Sequence, residues 1–303
     1  MKNLKNNIIV TGGCGFIGSH LVDSLVDEYN VYVIDDESAE ANDVFYKNKK
    51  AKYFKIDICD VHKLINPNVF KKTKAIFHLA AESRIIPAIE NPIKATISNV
   101  VGTVSLLNIA KKYKIEKFIY SSTSAAYGLK AKIPTDESCS IDCLNPYSAT
   151  KFAGEEMIRM FTKLYNIDSC IFRYFNVFGE RSPTKGVYAP VVGIFLNQYK
   201  NKQKLTIVGN GKQRRDFVHV SDIVNANILA LKHKKRLNAN VFNIGSGKNY
   251  SINQIAKMID KNISYVPYRQ GECKNTLADI SKAKKILKFC PKIDIKNWIN
   301  TQK

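Results

Sequence analysis

Nowhere in the 303 residues does an apolar run approach the ~20 residues that a membrane span needs. The first apolar stretch, residues 8–10, is too short for the core of a signal peptide. We therefore expect a cytoplasmic protein that does not engage a membrane. The seven cysteines are scattered, and the nearest pair, Cys139 and Cys143, has no histidine at ligand spacing. This pattern predicts reduced thiols, no disulfide framework and no metal site.

Acidic residues are few: 26 Asp and Glu stand against 47 Lys and Arg, which gives a formal net charge of +21. Arginine is also scarce, with 8 residues, whereas lysines are spread along the whole chain. Nucleic-acid-binding proteins concentrate their basic residues in a patch or stripe, and this sequence has neither an aromatic-interleaved basic stripe nor a zinc finger. We therefore predict no specific nucleic-acid partner. A lysine-biased composition accounts for the charge, and an attraction for a doubly charged diphosphate substrate fits it as well.

The composition, 45% apolar and 24% charged, is that of a globular protein without repeats or low-complexity linkers. Short apolar segments alternate with amphipathic ones, which is typical of a parallel sheet covered by helices on both faces. Strands are predicted at residues 7–11, 31–35, 53–57, 75–79, 118–121 and 169–174. Helices are predicted at residues 16–28, 97–113, 147–165 and 221–231.

The fold class expected from this pattern is α/β, a doubly wound parallel sheet of the Rossmann type with a smaller C-terminal α/β lobe. Glycines and prolines punctuate the chain after residue 179, where the alternation breaks. We therefore assign residues 1–176, with a returning segment near 214–243, to the cofactor-binding domain. Residues 177–303 are assigned to a substrate-binding lobe.

A glycine-rich segment, Thr-Gly-Gly-Cys-Gly-Phe-Ile-Gly at 11–18, lies directly between the first strand and the first helix. Glycine lets the backbone turn tightly and approach a pyrophosphate closely. The helix that follows presents free N–H groups and its positive dipole end to the phosphates. The alternative is a glycine turn without a ligand. The context favours a dinucleotide site made by Gly12, Gly15, Phe16, Ile17 and Gly18.

Asp35 ends the second strand, where a carboxylate can accept both ribose hydroxyls of an adenosine. Asp36 and Glu37 follow it with no arginine nearby, so a 2′-phosphate would meet like charge, and NAD is predicted rather than NADP. Asp57 and Ile58, after the third strand, are placed to flank the adenine. Asp57 is also suited to cap a helix, and the two roles are compatible.

Tyr147 and Lys151 are four residues apart, so one face of a predicted helix carries a phenol and an ammonium. A run of four hydroxyl residues, 121–124, ends the fifth strand one loop earlier. In such sheets the carboxyl ends of the strands line the ligand crevice. These groups are therefore expected around the reactive end of the cofactor.

With these motifs the chain resembles the extended short-chain dehydrogenase/reductase superfamily, and most closely its nucleotide-sugar 4-epimerases. The resemblance covers nearly the whole chain. Its motifs lie at residues 11–18, 78–81, 99–103, 121–128, 147–151, 173–179, 215–220, 269–272 and 278–283.

The resemblance implies a mechanism. Tyr147 would take the proton from the sugar 4-hydroxyl, Lys151 would favour the phenolate and hold the nicotinamide ribose, and Thr123 would hydrogen-bond the 4-oxygen. NAD would take up the C4 hydride, return it on the other face and stay bound. Further cofactor contacts are implied at Leu79, Ala80, Ala81, Asn99 and Phe175. Substrate contacts are implied at Ser83, Thr123, Asn176, Arg215, Arg269 and Glu272, the two arginines clamping the diphosphate.

The residues after Thr123 distinguish between relatives. Dehydratases of this superfamily carry an Asp-Glu pair there, and this chain has residues 124–126, Ser-Ala-Ala, instead. Dehydration is therefore disfavoured, and epimerisation is expected ahead of simple 4-keto/4-hydroxyl redox. A non-catalytic binding protein on the same scaffold is a third reading, which the intact Tyr147, Lys151 and Thr123 disfavour.

The substrate expected from the resemblance is a UDP-linked hexose, either the glucose/galactose pair or the GlcNAc/GalNAc pair. Thr276 is assigned to a position where bulk narrows the sugar pocket and a small residue accompanies acceptance of an N-acetyl group. Arg84, after the fourth strand, departs from the epimerase pattern and leaves the identity of the sugar open. A homodimer is expected, built from the helices near 99–113 and 147–165.

Overall fold

The structure, a computed structural model, describes residues 5–39, 42, 44–64, 66–129, 131–184, 189–268 and 274–303. A β-α-β unit opens the chain, and further strands and helices alternate after it. The elements up to residue 123 are β1 (Asn7–Thr11), α1 (Phe16–Leu25), β2 (Asn30–Asp35), β3 (Lys52–Lys55), α2 (Val61–Leu64), α3 (Pro67–Lys71), β4 (Thr73–His78), α4 (Ile85–Glu90), α5 (Pro92–Thr96), α6 (Gly102–Tyr113) and β5 (Lys117–Thr123). A π-helical turn, Ile97–Val101, joins α5 to α6.

The second half mixes elements of the large sheet with those of the lobe. A 3₁₀ turn, Ser124–Tyr127, follows β5 directly. The elements after it are α7 (Pro146–Tyr165), β6 (Asp168–Tyr174), β7 (Asn176–Phe178), α8 (Val191–Lys200), β8 (Leu205–Val208), β9 (Arg214–His219), α9 (Val220–Lys232), β10 (Asn240–Ile244), β11 (Asn249–Ser251), α10 (Ile252–Ile259), β12 (Ile263–Val266), α11 (Ser281–Leu287) and α12 (Ile295–Asn300).

Seven strands form one parallel sheet in the order β10-β6-β5-β4-β1-β2-β3. The prediction of a Rossmann-type parallel sheet is therefore confirmed. Six strands were expected, and the seventh, β10, pairs with β6 in the register Asn240↔Cys170 to Ile244↔Tyr174. The sequence predicts a returning segment near 214–243 in this domain but no strand within it, because β10 is only five residues long.

The core lies on both faces of this sheet. One apolar cluster packs α1, α9 and α11 against it, and a second packs α6 and α7 against the other face. A third cluster fills the lobe, around Phe178, Phe195 and Trp298. The lobe contains a three-stranded sheet, β11-β9-β7, and a two-stranded parallel pair, β12-β8. Because β6 leads into β7 and β10 into β11, the lobe lies next to the carboxyl edge of the large sheet.

Several predicted boundaries are wrong in detail. The first helix ends at Leu25 rather than at residue 28, and the third strand ends at Lys55, which leaves Asp57 in the loop beyond it. Helix α9 starts at Val220, one residue before the predicted start, and is capped by the His219 side chain. That cap is a hydrogen bond that the Ser221 N–H donates to the His219 ring, and apolar spacing alone does not report it.

One helix among the described residues, Pro92–Tyr113, is long and apolar enough to cross a membrane by length and composition. The search for uninterrupted apolar runs misses it, because polar residues such as Lys94 and Asn99 lie within it. Buried residues make up 44% of its most apolar window, and Leu106 and Leu107 are fully buried against the sheet. Leu106 and Leu107 therefore belong to the core of the fold.

Candidate active site

Three of the four glycines of the first turn, Gly12, Gly15 and Gly18, have different reasons to be glycine. Gly12 has φ +68°, and a Cβ there would lie 2.7 Å from the Ala80 backbone nitrogen. A Cβ on Gly18 would collide with the Gly12 carbonyl oxygen. Gly12 and Gly18 therefore serve the packing of the turn itself. At Gly15 a Cβ would meet nothing closer than the Gly12 oxygen, at 3.5 Å.

Gly15 is consequently a glycine that the surrounding protein does not require. It is the N-cap of α1, it lends the helix no side-chain cap, and the first turn of α1 contains no acidic residue. The amide groups at this helix end are thus available to an anion, and the helix dipole favours one there. Gly15 leaves the backbone uncovered beside the uncapped start of α1, and this arrangement fits the pyrophosphate of a dinucleotide.

A buried hydrogen-bond chain fixes the turn against β4. His78 is fully buried, with Nδ1 2.8 Å from Thr11 Oγ1 and Nε2 2.9 Å from Thr103 Oγ1. Burial holds the pKa of His78 well below its usual range, so the ring is neutral. The Ala80 N–H also donates to Thr11 Oγ1, at 3.2 Å. Leu79, Ala80 and Ala81, all predicted cofactor contacts, follow this anchored strand end and are partly exposed.

Asp35 closes the other side of the turn. Its two carboxylate oxygens accept the N–H groups of Cys14 and Glu37, each at 2.9 Å. Burial raises the pKa of Asp35, and these backbone hydrogen bonds oppose the rise. Glu37 sits at φ +57° and pairs with Lys47 at 2.5 Å and Lys55 at 3.3 Å. The carboxylate is thus fixed at the end of β2, where contact with an adenosine ribose stays a prediction.

The two residues predicted beside the adenine differ in exposure. Asp57 Oδ1 accepts the Cys59 N–H at 2.7 Å, as expected of a capping carboxylate. Ile58 is 6% exposed and packs against Gly102, where a Cβ would collide with it. Ile58 is therefore chiefly a core residue. Its contact with an adenine stays a prediction.

Thr123, Tyr147 and Lys151 come together at the carboxyl edge of the large sheet. Thr123 ends β5, and its Oγ1 accepts the Ala125 N–H at 3.1 Å, which starts the 3₁₀ turn. Asn145 caps α7 by accepting the Ser148 N–H at 3.0 Å in a capping box, with proline at the first helical position. This cap determines where α7 starts and therefore places Tyr147 in the first turn and Lys151 one turn later.

The phenol and the ammonium are both in a low-dielectric environment. Burial raises the pKa of Tyr147, a hydrogen bond with the Thr123 side chain lowers it, and the nearby Glu82 carboxylate raises it. Lys151 is 3% exposed, and burial lowers its pKa to about 7, while the charge of Glu155 opposes this shift. The ammonium lies 4.2 Å from the centroid of the Tyr120 ring, a cation–π contact that favours the charged form.

A buried ion pair lies directly behind this site and was not predicted. Glu155, fully buried one helical turn after Lys151, accepts Ser122 Oγ at 2.6 Å. The same carboxylate accepts Arg173 Nε at 2.9 Å and an Arg173 terminal nitrogen at 2.7 Å. Ser122 and Arg173 are register partners on β5 and β6, and Ser122 precedes Thr123. The pair therefore ties α7 to the strand end that carries Thr123.

Asn99 belongs to the π-helical turn and is 1% exposed. Its Oδ1 accepts the Glu82 N–H at 2.8 Å, and its Nδ2 donates to the Glu82 carbonyl at 3.0 Å and to Thr150 Oγ1 at 2.9 Å. The amide is thus occupied by protein partners. Asn99 holds the loop after β4 against α7. Asn99 would therefore affect cofactor binding by positioning this loop rather than by a direct contact.

The predicted substrate residues lie where the lobe meets the sheet. Asn176 starts β7, and its Nδ2 donates to the Asp216 carbonyl at 3.1 Å and lies 3.5 Å from Thr276 Oγ1. Arg215 lies on β9 and donates to the Arg214 carbonyl at 3.0 Å. Ser83 is exposed after β4, and Phe175, the remaining predicted cofactor contact, is buried between β6 and β7. Arg269 and Glu272 lie outside the described residues.

Asp216, which sequence reasoning missed, organises this junction. It is fully buried, and its carboxylate accepts the N–H groups of Ser246 at 2.7 Å, Gly247 at 3.0 Å and Ala278 at 3.0 Å. Burial raises its pKa, and the backbone hydrogen bonds oppose the rise. Its backbone N–H donates to Thr276 Oγ1 at 3.2 Å. Its position inside the Arg-Asp-Phe-Val-His motif was the available signal.

Residues 8–245 match the model of the "NAD dependent epimerase/dehydratase family". The chain belongs to this family. The prediction of NAD as cofactor is thereby confirmed, as is the superfamily resemblance. The Gly15 surface and the uncapped end of α1 fit that cofactor.

Other members of the NAD dependent epimerase/dehydratase family cover nearly all of the chain. It is 32% identical over 309 residues to a UDP-glucuronate 4-epimerase of Thermodesulfobacterium geofontis, covering 96% of this chain and 93% of that protein. It is similar to the structure of a Thermotoga maritima UDP-glucose 4-epimerase with UDP-glucose, with a TM-score of 0.91, 34% identity and coverage of 98% and 97%. It is also similar to a Methanobrevibacter ruminantium UDP-N-acetylglucosamine 4-epimerase in complex with UDP-N-acetylmuramic acid, with a TM-score of 0.88, 31% identity and 99% coverage of both chains.

Gly15→Ala is expected to weaken NAD binding by about tenfold or more and to change the free energy of unfolding by less than about 1 kcal/mol. The added methyl enters the face left free for phosphate, and the φ of −80° at Gly15 suits alanine. Isothermal titration with NAD and a denaturant melt measure the two effects. Gly12→Ala is the contrasting variant, because its methyl meets the Ala80 backbone and should destabilise the fold. Equal NAD affinity in Gly15→Ala and the wild type would remove the phosphate assignment.

Proposed function

We propose that the protein epimerises C4 of a UDP-linked hexose, interconverting UDP-glucose with UDP-galactose or UDP-GlcNAc with UDP-GalNAc. The observation that carries the proposal is that Thr123 at the end of β5 and Tyr147 and Lys151 of α7 lie at the same carboxyl edge of the sheet as the glycine turn after β1, in a member of an NAD-dependent family. Similarity to a UDP-glucose 4-epimerase and to a UDP-N-acetylglucosamine 4-epimerase supports the two substrate pairs.

The roles of the three side chains follow from their surroundings. Tyr147 accepts the proton of the sugar 4-hydroxyl, and the buried ammonium of Lys151 stabilises the phenolate that this requires. Thr123, whose side chain lowers the pKa of Tyr147, binds the 4-oxygen and relays the proton. Bound NAD supplies the hydride acceptor and donor at C4. Gly12, Gly15, Phe16, Ile17, Gly18 and Asp35 would hold NAD at the glycine turn.

A 4,6-dehydratase is the alternative within the same family, and the turn after Thr123 disfavours it. Elimination of water needs a carboxyl group close to C5 and C6 of the sugar. The 3₁₀ turn Ser124–Tyr127 contains only serine, alanine and tyrosine. A nucleotide-sugar 4-reductase or dehydrogenase needs no such acid and differs instead in exchanging its cofactor with solvent.

The division of labour between sheet and lobe is likewise proposed. We assign residues 1–176 and the returning segment near 214–243 to NAD, and residues 177–303 to the substrate. The packing of α9 on α1 and the pairing of β10 with β6 support the returning segment, whereas β9 at its start pairs with β7 and β11 of the lobe. Asn176, Arg215 and the undescribed Arg269 and Glu272 would hold the nucleoside diphosphate, with Ser83 near the sugar.

The deciding experiment is incubation of the purified protein with UDP-glucose, UDP-galactose, UDP-GlcNAc, UDP-GalNAc and UDP-glucuronate, without added cofactor. Chromatographic separation of C4 epimers is expected to show interconversion of at least one of the four neutral sugars. Exclusive conversion of UDP-glucuronate would show that the proposed substrate is wrong. A product lighter by one water would identify a dehydratase, and stoichiometric consumption of added NADH would identify a reductase.

Thr276→Tyr is expected to lower kcat/KM for the N-acetylated pair by about tenfold more than for the plain pair, because added bulk excludes the acetyl group. The hydroxyl of Thr276 binds Asp216 and lies beside Asn176, so the substitution also perturbs this junction. Thr276→Val is the matched control, since it removes the hydroxyl without adding bulk. If the ratio of kcat/KM between the N-acetylated and the plain pair were the same in Thr276→Tyr and Thr276→Val, bulk at residue 276 would not control acceptance of the acetyl group.

We propose that a second copy of the chain covers an apolar face of the helix Pro92–Tyr113. Ile93, Ile97 and Val101 follow one another at four-residue spacing and are 73%, 46% and 51% exposed. Ile85 and Ile89 of α4 extend the face, with exposed fractions of 41% and 49%. An exposed apolar stripe of this kind is typical of a self-complementary interface between copies.

Ile93→Glu combined with Val101→Glu is expected to convert the dimer into a monomer, because two carboxylates would be buried without partners at the interface. Sedimentation equilibrium measures the mass. Tyr265→Glu is the control, since Tyr265 is 60% exposed on β12, away from this face. A wild-type monomer, or a double variant that still dimerises, would overturn the assignment.

A further inference from the structure

A cavity of about 540 Å³ opens at the β10 edge of the large sheet. Its walls include the last turn of α7 and the first residues of β10. Because β10 is parallel to β6, its first residues lie at the amino edge of the sheet, whereas Thr123 lies at the carboxyl edge of β5. The cavity is therefore separate from the candidate active site.

Positive charge dominates the lining. Arg159, Lys163, Arg236 and Lys282 contribute four cationic groups, and Glu137 contributes one carboxylate. The Glu137 carboxylate is already engaged, since Oε1 accepts the Asn243 N–H at 2.7 Å. Arg159 is paired with Glu155 and Glu156, and the Glu137 charge acts on Lys282, so Arg236 and Lys163 are the cations of the lining that have no carboxylate beside them there.

The cations are held to different degrees. Arg236 is oriented by its hydrogen bonds to the Asn166 carbonyl at 2.9 Å and to Asn238 Oδ1 at 3.2 Å. Both partners are uncharged, so the guanidinium charge is not neutralised by them. Lys163 is exposed and makes no ion pair or hydrogen bond with any residue that the structure describes. Lys282 lies over the Phe242 ring at 5.2 Å, and burial lowers its pKa.

We propose that this cavity binds a small anion that carries one or more phosphate groups. The volume falls within the ~300–1,000 Å³ of small-molecule sites. The guanidinium fork of Arg236, fixed by neutral partners, matches phosphate oxygens, and Lys163 and Lys282 add point charges around it. A nucleic acid would need a longer basic track than one cavity offers. The proposal does not depend on the reaction that the protein catalyses.

The test uses inorganic pyrophosphate as the probe and isothermal titration of the full chain in 0.15 M salt, where nonspecific attraction between exposed charges is screened. Any pyrophosphate that binds at a nucleotide site is common to the wild type and both variants, so the cavity is measured by the binding that only the cavity variant loses. The cavity variant is Lys163→Gln with Arg236→Gln. The matched control is Lys212→Gln with Lys261→Gln, which removes the same charge from exposed positions of the lobe.

The expected result is binding to the wild type and the control with equal affinity, and a loss of at least about tenfold in the cavity variant. Thermal melts of both variants verify that they fold. Equal weakening in both double variants would mean that net charge alone attracts the anion, and would overturn the site. Absence of pyrophosphate binding to the wild type would overturn it as well. Epimerase turnover is measured in parallel. A failure of the proposed function would not affect the conclusion about the cavity, and a failure of the cavity site would not affect the proposed function.

Discussion

Tyr147→Phe is expected to lower kcat by about 10²–10⁴-fold, the usual contribution of a positioned acid–base group. Phenylalanine keeps the ring in the first turn of α7, so packing and the Asn145 cap are preserved. The lost group is the Tyr147 hydroxyl, whose pKa the Thr123 side chain lowers. Turnover is measured by separation of C4 epimers, with NAD affinity and the melting temperature measured on the same sample.

Tyr32→Phe is the control for Tyr147→Phe, because it removes a tyrosine hydroxyl from β2, outside the site. It is expected to leave kcat within about twofold, as a surface change without a catalytic role does. If Tyr147→Phe turned over at a near-normal rate, another group would have to remove the proton, and the role assigned to Tyr147 would be excluded. If Tyr147→Phe lowered NAD affinity and kcat together, the main role of the phenol would be to bind the cofactor rather than to remove the proton.

Glu155→Gln is expected to lower the free energy of unfolding by about 3–5 kcal/mol, because it leaves the buried Arg173 charge without its carboxylate. Arg173 is 2% exposed, and among the described residues its side-chain hydrogen bonds go to Glu155. Chemical denaturation measures the change. Glu156→Gln is the matched control on the same helix, since Glu156 has a half-exposed side chain and pairs only with Arg159. Its effect should stay within about 0.5 kcal/mol.

Glu155→Gln should also move the pH dependence of turnover. The Glu155 charge raises the pKa of Lys151, which burial has lowered to about 7. Without that charge the Lys151 pKa falls further, so the ammonium is lost at lower pH and the alkaline decline of kcat begins earlier. Profiles are recorded at a temperature where the variant is folded. An unmoved alkaline limb would mean that Glu155 acts on stability alone.

Residues that act through short-range sequence motifs could be predicted. The glycine turn, the Asp35 carboxylate and the Tyr147–Lys151 pair each lie within one strand–turn–helix unit, and the local pattern places them at the correct edge of the sheet. Family membership confirms the cofactor that the turn indicates. Local sequence spacing is therefore sufficient to predict the residues on the cofactor side of the site.

Residues that meet only through the tertiary fold could not be predicted. Glu155 and Arg173 lie on a helix and a strand that come together only when β6 pairs with β5. Asp216 gathers backbone amides from segments 30 to 62 residues away. The π-helical turn at Asn99 leaves no periodic pattern in the sequence. The Asn99 side chain instead bonds the loop after β4, which lies far from it in sequence. The lobe was harder to predict for this reason.

Arg159 connects the outer cavity with the interior. It lines the cavity and donates to Glu155 at 3.1 Å, and Glu155 in turn acts on the charge of Lys151. An ion that draws this arginine outward leaves the carboxylate with fewer donors and a stronger hold on the lysine proton. Kinetic constants recorded in phosphate buffer and in a buffer of bulky cations with chloride would then describe two different electrostatic states of one enzyme, and should not be pooled.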